Sequence, residues 1–358
     1  MELIEGKSLW IHSAIDTLSR QIMYLSVPSM YSMTQKINMT KAIIIILSIA
    51  TFYACQNKNP TETSGGWKKY ADNPVLGGDL GTIFDVSVLK LNDTTFKMYS
   101  SWRPKKSIAL SESKDGLTWS EPVICLSYDD SSKWEKDINR PVVIKKGDSL
   151  YMWYTGQSIK DGSEYSCIGF ATSKNGKDWK KMSKEPVLLP TENWEKVSVM
   201  CPHVIWDEKK NLFKMWYSGG EQYEPDAIGY AISKDGQHWT RHSGNPIFSN
   251  NKKNTWEQAK VTACQVIKRE NDYLMFYIGF TNIDYAQIGM AKSKDGINDW
   301  IRFDQNPIIK PGMGWDSSAV YKPYAVQDKN RWLLYYNGRR NNQEQIGIAI
   351  HKENQLGF

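Results

Sequence analysis

One pattern returns along the chain every 60 or 61 residues, and it limits the fold more than any figure of composition does. Ser-Lys-Asp/Asn-Gly occurs at Ser113-Lys114-Asp115-Gly116, Ser173-Lys174-Asn175-Gly176, Ser233-Lys234-Asp235-Gly236 and Ser293-Lys294-Asp295-Gly296. A tryptophan follows each copy, at Trp119, Trp179, Trp239 and Trp300. Other features keep the same phase. Pro74-Val75-Leu76, Pro122-Val123-Ile124, Pro186-Val187-Leu188, Pro246-Ile247-Phe248 and Pro307-Ile308-Ile309 form one series. Trp134-Glu135, Trp194-Glu195, Trp256-Glu257 and Trp315-Asp316 form another. An apolar run ending in tyrosine recurs at Met98-Tyr99, Met152-Trp153-Tyr154, Met215-Trp216-Tyr217, Met275-Phe276-Tyr277 and Leu334-Tyr335-Tyr336. Ile168-Gly169, Ile228-Gly229, Ile288-Gly289 and Ile346-Gly347 close the unit, with Ile108-Ala109 as a weaker first copy.

Each repeat reads as strand, hairpin, strand, loop, strand, Asp-Gly turn, strand. The Asp-Gly and Asn-Gly steps supply the positive φ that tight hairpins need. No helical periodicity competes with this reading. Four strands per repeat make one propeller blade, and a closed ring of blades leaves no long free sheet edge. The expected fold is all-β, a five-bladed β-propeller with four antiparallel strands per blade, over residues 67–358. The turn is one residue shorter between Asp and Trp than the sialidase Asp-box, which argues against a sialidase.

Residues 39–55 read as a lipoprotein-type export signal. A lysine precedes a short apolar run, and Ala54 precedes Cys55. That run is short for a transmembrane helix. Cys55 is the expected lipidation site. Residues 1–38 are expected to lie upstream of the true start, with Met33 or Met39 as the better initiator. Residues 56–66 form a polar tether. The expected location is therefore outside the cytoplasm, lipid-anchored to a bacterial membrane. Four further cysteines, Cys125, Cys167, Cys201 and Cys264, have neither CxxC nor zinc-finger spacing. They read as buried small side chains, with a disulfide after export left open. The +6 net charge is dispersed, with no basic run of the kind that binds nucleic acid. It leaves open an affinity for anionic glycans or phosphate. The 15 Trp and 19 Tyr suit sheet packing and also suit stacking on sugars.

In a propeller the innermost strand of each blade lines the channel. A residue type kept in every repeat is architecture; chemistry appears where the repeat breaks. The inner strands align on Val86-Ser87-Val88-Leu89, Pro141-Val142-Val143-Ile144, Pro202-His203-Val204-Ile205, Cys264-Gln265-Val266-Ile267 and Pro323-Tyr324-Ala325-Val326. The residues just before them are Asp85, Arg140, Cys201, Ala263 and Lys322, five chemistries at one ring position.

Phe84-Asp85-Val86-Ser87-Val88 resembles the first-blade Ala-Asp-Pro-Ser-Val motif of family 43 glycoside hydrolases and their five-bladed relatives in families 32, 62, 68, 117 and 130. The resemblance spans roughly residues 67 to 354 and implies a carbohydrate-cleaving enzyme in which Asp85 is general base or nucleophile. Where that group carries a second-blade Asp, this chain has Arg140, with Asp137 close by. Where it carries a third-blade Glu, this chain has Met200. A second carboxyl is therefore sought elsewhere, since glycoside cleavage uses a pair. Glu195 and Glu221 are the candidates; Glu195 also fits the architectural series, and Glu221 also fits a solvated loop. Asp137, Arg140, His203, Lys260, Lys322 and Arg339 are expected to contact substrate. Through a histidine, the resemblance also allows a central calcium. Expected partners are an oligosaccharide or polysaccharide and, through the lipid anchor, the membrane.

Three functions follow. The leading one is a hydrolase removing a terminal sugar, an arabinofuranoside or a related residue, from polysaccharide-derived oligosaccharides. The second is a phosphate-dependent mannoside phosphorylase like those of family 130, with Arg140, Lys260, Lys322 and Arg339 around the phosphate. The third is a non-catalytic glycan-binding propeller.

Overall fold

The computed structural model describes residues 62–358 except 161 and 222–224. The export signal, the Cys55 lipidation site and residues 56–61 of the tether lie outside the described residues. The described chain is built from β-strands joined by turns, with helix only as three-residue 3-10 segments such as Asn193–Glu195 and Thr255–Glu257. Three sheets have four strands each. A nine-stranded sheet contains the second and third repeats, whose antiparallel runs touch at one parallel pair, Ser198 opposite Ser166. The strand Trp67–Lys69 pairs with Gln343–His351, so the start of the described chain completes the sheet of the last repeat.

The repeated residues account for this architecture. In the turn at Ser113-Lys114-Asp115-Gly116, Ser113 Oγ accepts from the Gly116 N–H, and Asp115 Oδ1 accepts from the N–H groups of Leu117 and Thr118. Gly116 has φ of 72°, a conformation that favours glycine. The turn glycine also ties neighbouring repeats together through its carbonyl. Tyr99 Oη donates to Gly176 O, Trp153 Nε1 to Gly236 O and Trp216 Nε1 to Gly296 O. Tyr335 Oη, in the last repeat, donates to Gly116 O in the first, at 2.7 Å. Register places Tyr99 opposite Ser87 as Trp153 is opposite Val142, so Tyr99 is the counterpart of Trp153 and not of Tyr154.

The Trp-Glu/Asp series is a second brace. Glu135, Glu195, Glu257 and Asp316 are all buried. Each accepts from the strand-ending tyrosine of its own repeat: Tyr154, Tyr217, Tyr277 and Tyr336. Each also pairs with a cation, respectively Lys181, Arg241, Arg302 and Lys69. The preceding tryptophans pack on glycines; a Cβ on Gly219 would lie 2.6 Å from the Trp194 ring.

Every inner strand carries one irregularity at the ring position. Pairing shifts between Phe84 and Ser87, Asn139 and Val142, Met200 and His203, Thr262 and Cys264, and Tyr321 and Tyr324. The bulged residue is left-handed each time: Asp85 (φ 52°), Arg140 (54°), Cys201 (53°), Ala263 (35°) and Lys322 (52°). Non-glycine residues avoid this region at a cost of about 1 kcal/mol or more, so surrounding bonds must hold them there. Those bonds are present. The bulge N–H of Asp85, Arg140, Cys201 and Ala263 donates to Asn337 Oδ1, Ser101 Oγ, Thr155 Oγ1 and Ser218 Oγ of the preceding repeat. A bulge re-aims a side chain without ending the sheet.

Candidate functional site

A cavity of about 430 Å³ opens where the starts of two inner strands meet three loops. Lys136, Asp137 and Arg140 come from the second inner strand and its approach, and Tyr321 from the last. Arg103 and Lys106 come from the loop joining the second and third strands of the first repeat. Gln157, Ser158, Ile159 and Glu164 come from the corresponding hairpin of the second repeat, and Arg339 and Glu344 from that of the last. The volume is that of a small-ligand site, and the lining is mostly polar.

Asp85 does not itself line this cavity and is joined to it through Arg140. It is 2% exposed. Arg140 Nε is 3.2 Å from Asp85 Oδ2, and Asn337 Nδ2 donates to Asp85 Oδ1 at 2.6 Å. Asn337 also accepts the Asp85 N–H, so one amide fixes both the backbone and the carboxylate. Arg140 further donates from Nη1 to Asn139 Oδ1 at 2.8 Å.

Two lining carboxyls have environments that favour the protonated form. Burial, supported by the Asp85 charge, pushes Glu344 above the ordinary glutamate value, against the pull of Arg103 and Tyr321. Tyr321 Oη donates to Glu344 Oε1, and Arg103 Nη2 is 3.2 Å from Oε2. Burial also raises Asp137, opposed by Arg103, Asn139, Arg140 and Lys106. A carboxyl raised by its surroundings near an ion-paired carboxylate is the kind of arrangement that acid–base glycoside chemistry uses.

Of the residues singled out in the sequence, Asp137, Arg140 and Arg339 line the cavity, and Asp85 is bound to its Arg140. The others are placed elsewhere. Glu195 is fully buried in the brace described above: it accepts from Arg241, from Tyr217 and from the N–H groups of Thr191 and Glu192. Every lone pair that catalysis would need is engaged by the fold, so the catalytic expectation for Glu195 is corrected to an architectural one. Glu221 is 62% exposed, ion-paired with Lys196 at 2.7 Å, and outside the cavity lining. His203 is also corrected. Its Nε2 bonds the Val266 carbonyl at 2.8 Å, its ring packs near Trp216 and Tyr324, and burial pushes it down to about 4. Gln265 and Ser87 make the matching inter-repeat bonds to Ala325 and Val143, so His203 belongs to a structural series. Among the described residues no group of three His, Cys, Asp or Glu is arranged for a metal. Lys260 lies over the Phe280 ring. Lys322 is buried at its ring position, with no carboxylate within ion-pairing distance among the described residues. Cys167, Cys201 and Cys264 are buried and Cys125 is half-buried.

Glu344, Arg103 and Lys106 were missed, although a signal existed. The residues two before the Ile-Gly step are Lys106, Ser166, Asp226, Ala286 and Glu344, again five chemistries at one repeat position. The inner-strand comparison alone could not reach them, because Glu344 lies on the third strand of the last repeat, and Arg103 and Lys106 lie in the loop before that of the first.

The comparisons with known proteins agree with this geometry. The model for the glycosyl hydrolases family 32 N-terminal domain matches residues 94–266. An uncharacterised protein of Mycobacterium tuberculosis is 26% identical over 58% of this chain and 69% of its own length. A 1,2-beta-oligomannan phosphorylase of Thermoanaerobacter sp. is 26% identical over 69% of this chain and 78% of its own length. Among solved structures, a thermostable family-43 glycoside hydrolase superposes with a TM-score of 0.61 at 21% identity, over 77% of this chain and 91% of that one. A beta-1,2-mannobiose phosphorylase from Listeria innocua, in complex with beta-1,2-mannobiose, superposes with a TM-score of 0.59 at 14% identity, over 80% and 96%. The likeness to these solved structures shows a propeller-like all-β fold.

Proposed function

We propose that this chain is a glycoside hydrolase that removes a terminal sugar from an oligosaccharide, on a five-bladed propeller of four-stranded blades. The observation that carries the reading is that Asp85, ion-paired with Arg140, stands behind the same cavity whose wall holds Glu344, a carboxyl raised by burial. Glu344 would donate its proton to the leaving oxygen, and Asp85 would act on the attacking water or the sugar carbon. Arg140 holds Asp85 in place, and Tyr321 orients Glu344 through its hydroxyl. Export behind residues 39–55 and lipidation at Cys55 form part of the proposal, since they would hold the enzyme where oligosaccharides arrive.

A phosphorylase is the second reading. It is favoured by the likeness to the Thermoanaerobacter phosphorylase and by the Arg and Lys side chains around the cavity. Screening turnover on a glycan library with and without inorganic phosphate separates the two. Free sugar released without phosphate supports the hydrolase, and sugar 1-phosphate formed only with phosphate replaces it. Substrate binding with no turnover under either condition would leave a glycan-binding propeller.

A further inference from the structure

The charge balance of the cavity is uneven. Arg103, Lys106, Lys136, Arg140 and Arg339 line it, against Asp137, Glu164 and Glu344. Two of those three carboxyls are raised by burial. The cations also differ in what they do for the protein. Arg140 is paired with Asp85 and Arg103 with Glu344. The Arg339 guanidinium donates to the Asp284 carbonyl. Lys106 and Lys136 have no carboxylate within ion-pairing distance among the described residues; Lys106 rests with its ammonium 5.6 Å from the centre of the Tyr128 ring. Both are exposed at the cavity wall. They approach it from two elements, one from the loop of the first repeat and one from the strand approach of the second.

A neutral sugar gives such ammonium groups only hydroxyls, which water serves equally well. An anionic group on the sugar gives them a charge-assisted partner. We infer that the terminal sugar this site accepts carries an anionic substituent, a carboxylate as in a uronic acid or a sulfate ester, recognised by Lys106 and Lys136. The inference rests on the glycoside-cleaving reading and names the substrate class of that same site.

The test uses the full chain and a glycan panel with four arms: oligosaccharides ending in a hexuronic acid, the same with the carboxylate methyl-esterified, sulfated counterparts, and neutral counterparts. Binding and turnover are both read. The expected result is preference for the uronate or the sulfated arm over the neutral one, and the arm preferred identifies the anion. For a uronate, esterification should cost roughly tenfold or more in kcat/KM. Lys106→Gln and Lys136→Gln should each lower kcat/KM on the charged substrate by about tenfold, and by much less on the neutral one. Raising salt should weaken the charged substrate alone. Equal handling of neutral and charged sugars overturns the inference and leaves the hydrolase standing. Charged-glycan binding with no cleavage supports the inference and sinks the hydrolase. Turnover of a neutral glycan that requires inorganic phosphate assigns the cations to phosphate and overturns it.

Discussion

Glu195→Gln separates architecture from chemistry most sharply, because sequence proposed this residue for catalysis and structure places it in a brace. Glu195 is fully buried and accepts from Arg241 Nε at 2.7 Å, Tyr217 Oη at 2.7 Å and two backbone N–H groups at 2.8 and 3.0 Å. The Arg241 side chain is 19% exposed, so a guanidinium left without its carboxylate remains poorly solvated. Removing one partner of a buried pair costs about 3–5 kcal/mol, and the partial exposure of Arg241 favours the lower end. At roughly 2–4 °C per kcal/mol for a domain of this size, about 3 kcal/mol lowers Tm by roughly 6–12 °C. The assay is thermal unfolding beside turnover at 25 °C. Turnover per folded molecule should stay within about threefold of wild type, since no interaction with the reacting atoms is removed. A hundredfold loss of kcat with Tm unchanged would refute the reasoning and return Glu195 to the active site. The pH dependence gives an independent check. Burial alone would raise Glu195, but the Arg241 pair and the backbone and Tyr217 bonds outweigh it and lower it. A carboxyl lowered in the native state binds protons more weakly there than when unfolded. Its contribution is therefore present above the unfolded glutamate value and lost as pH falls through the native one. Wild type should lose this stability in acid, and Glu195→Gln should show a flatter acid limb.

Asp85→Asn keeps the Asn337 contact and removes the charge, so turnover should fall by about a thousandfold or more while glycan binding persists, measured by kinetics and calorimetry. Glu344→Gln should abolish turnover and raise Tm at pH 7. A carboxyl raised in the native state favours folding only as pH falls into its range and is penalised above it, so the neutral amide relieves that penalty. For the same reason the alkaline limb of the wild-type rate profile should lie above the ordinary glutamate range, as expected of a general acid that must be protonated. Gly219→Ala should cost about 1–3 kcal/mol by forcing a methyl against the Trp194 ring, read in urea unfolding.

The architecture was legible because it repeats. Trp119, Trp179, Trp239 and Trp300 set the phase, and aligning the inner strands brought Asp85, Arg140, Cys201, Ala263 and Lys322 to one position. The structure gives all five the same left-handed bulge, which no propensity of Asp, Arg, Cys, Ala or Lys would suggest. The site was less legible because its walls come from different repeats. Asp137 and Arg140 were within reach of the inner-strand alignment. Glu344 lies on a third strand and becomes acidic-site chemistry only through Tyr321 and Arg103, 23 and 241 positions away in the chain. His203 misled in the opposite direction: a rare residue on an inner strand suggested ligand contact, yet its ring nitrogen is an inter-repeat strut like Gln265 and Ser87.

The central claim is that water-dependent glycoside cleavage depends on Asp85 and Glu344 together. It is tested most directly by mass spectrometry of products formed in H₂¹⁸O without phosphate, for wild type, Asp85→Asn and Glu344→Gln. The account predicts ¹⁸O in the released sugar for wild type and no release by either variant of intact fold. Release undiminished in both variants, or sugar 1-phosphate as the sole product once phosphate is supplied, would contradict it.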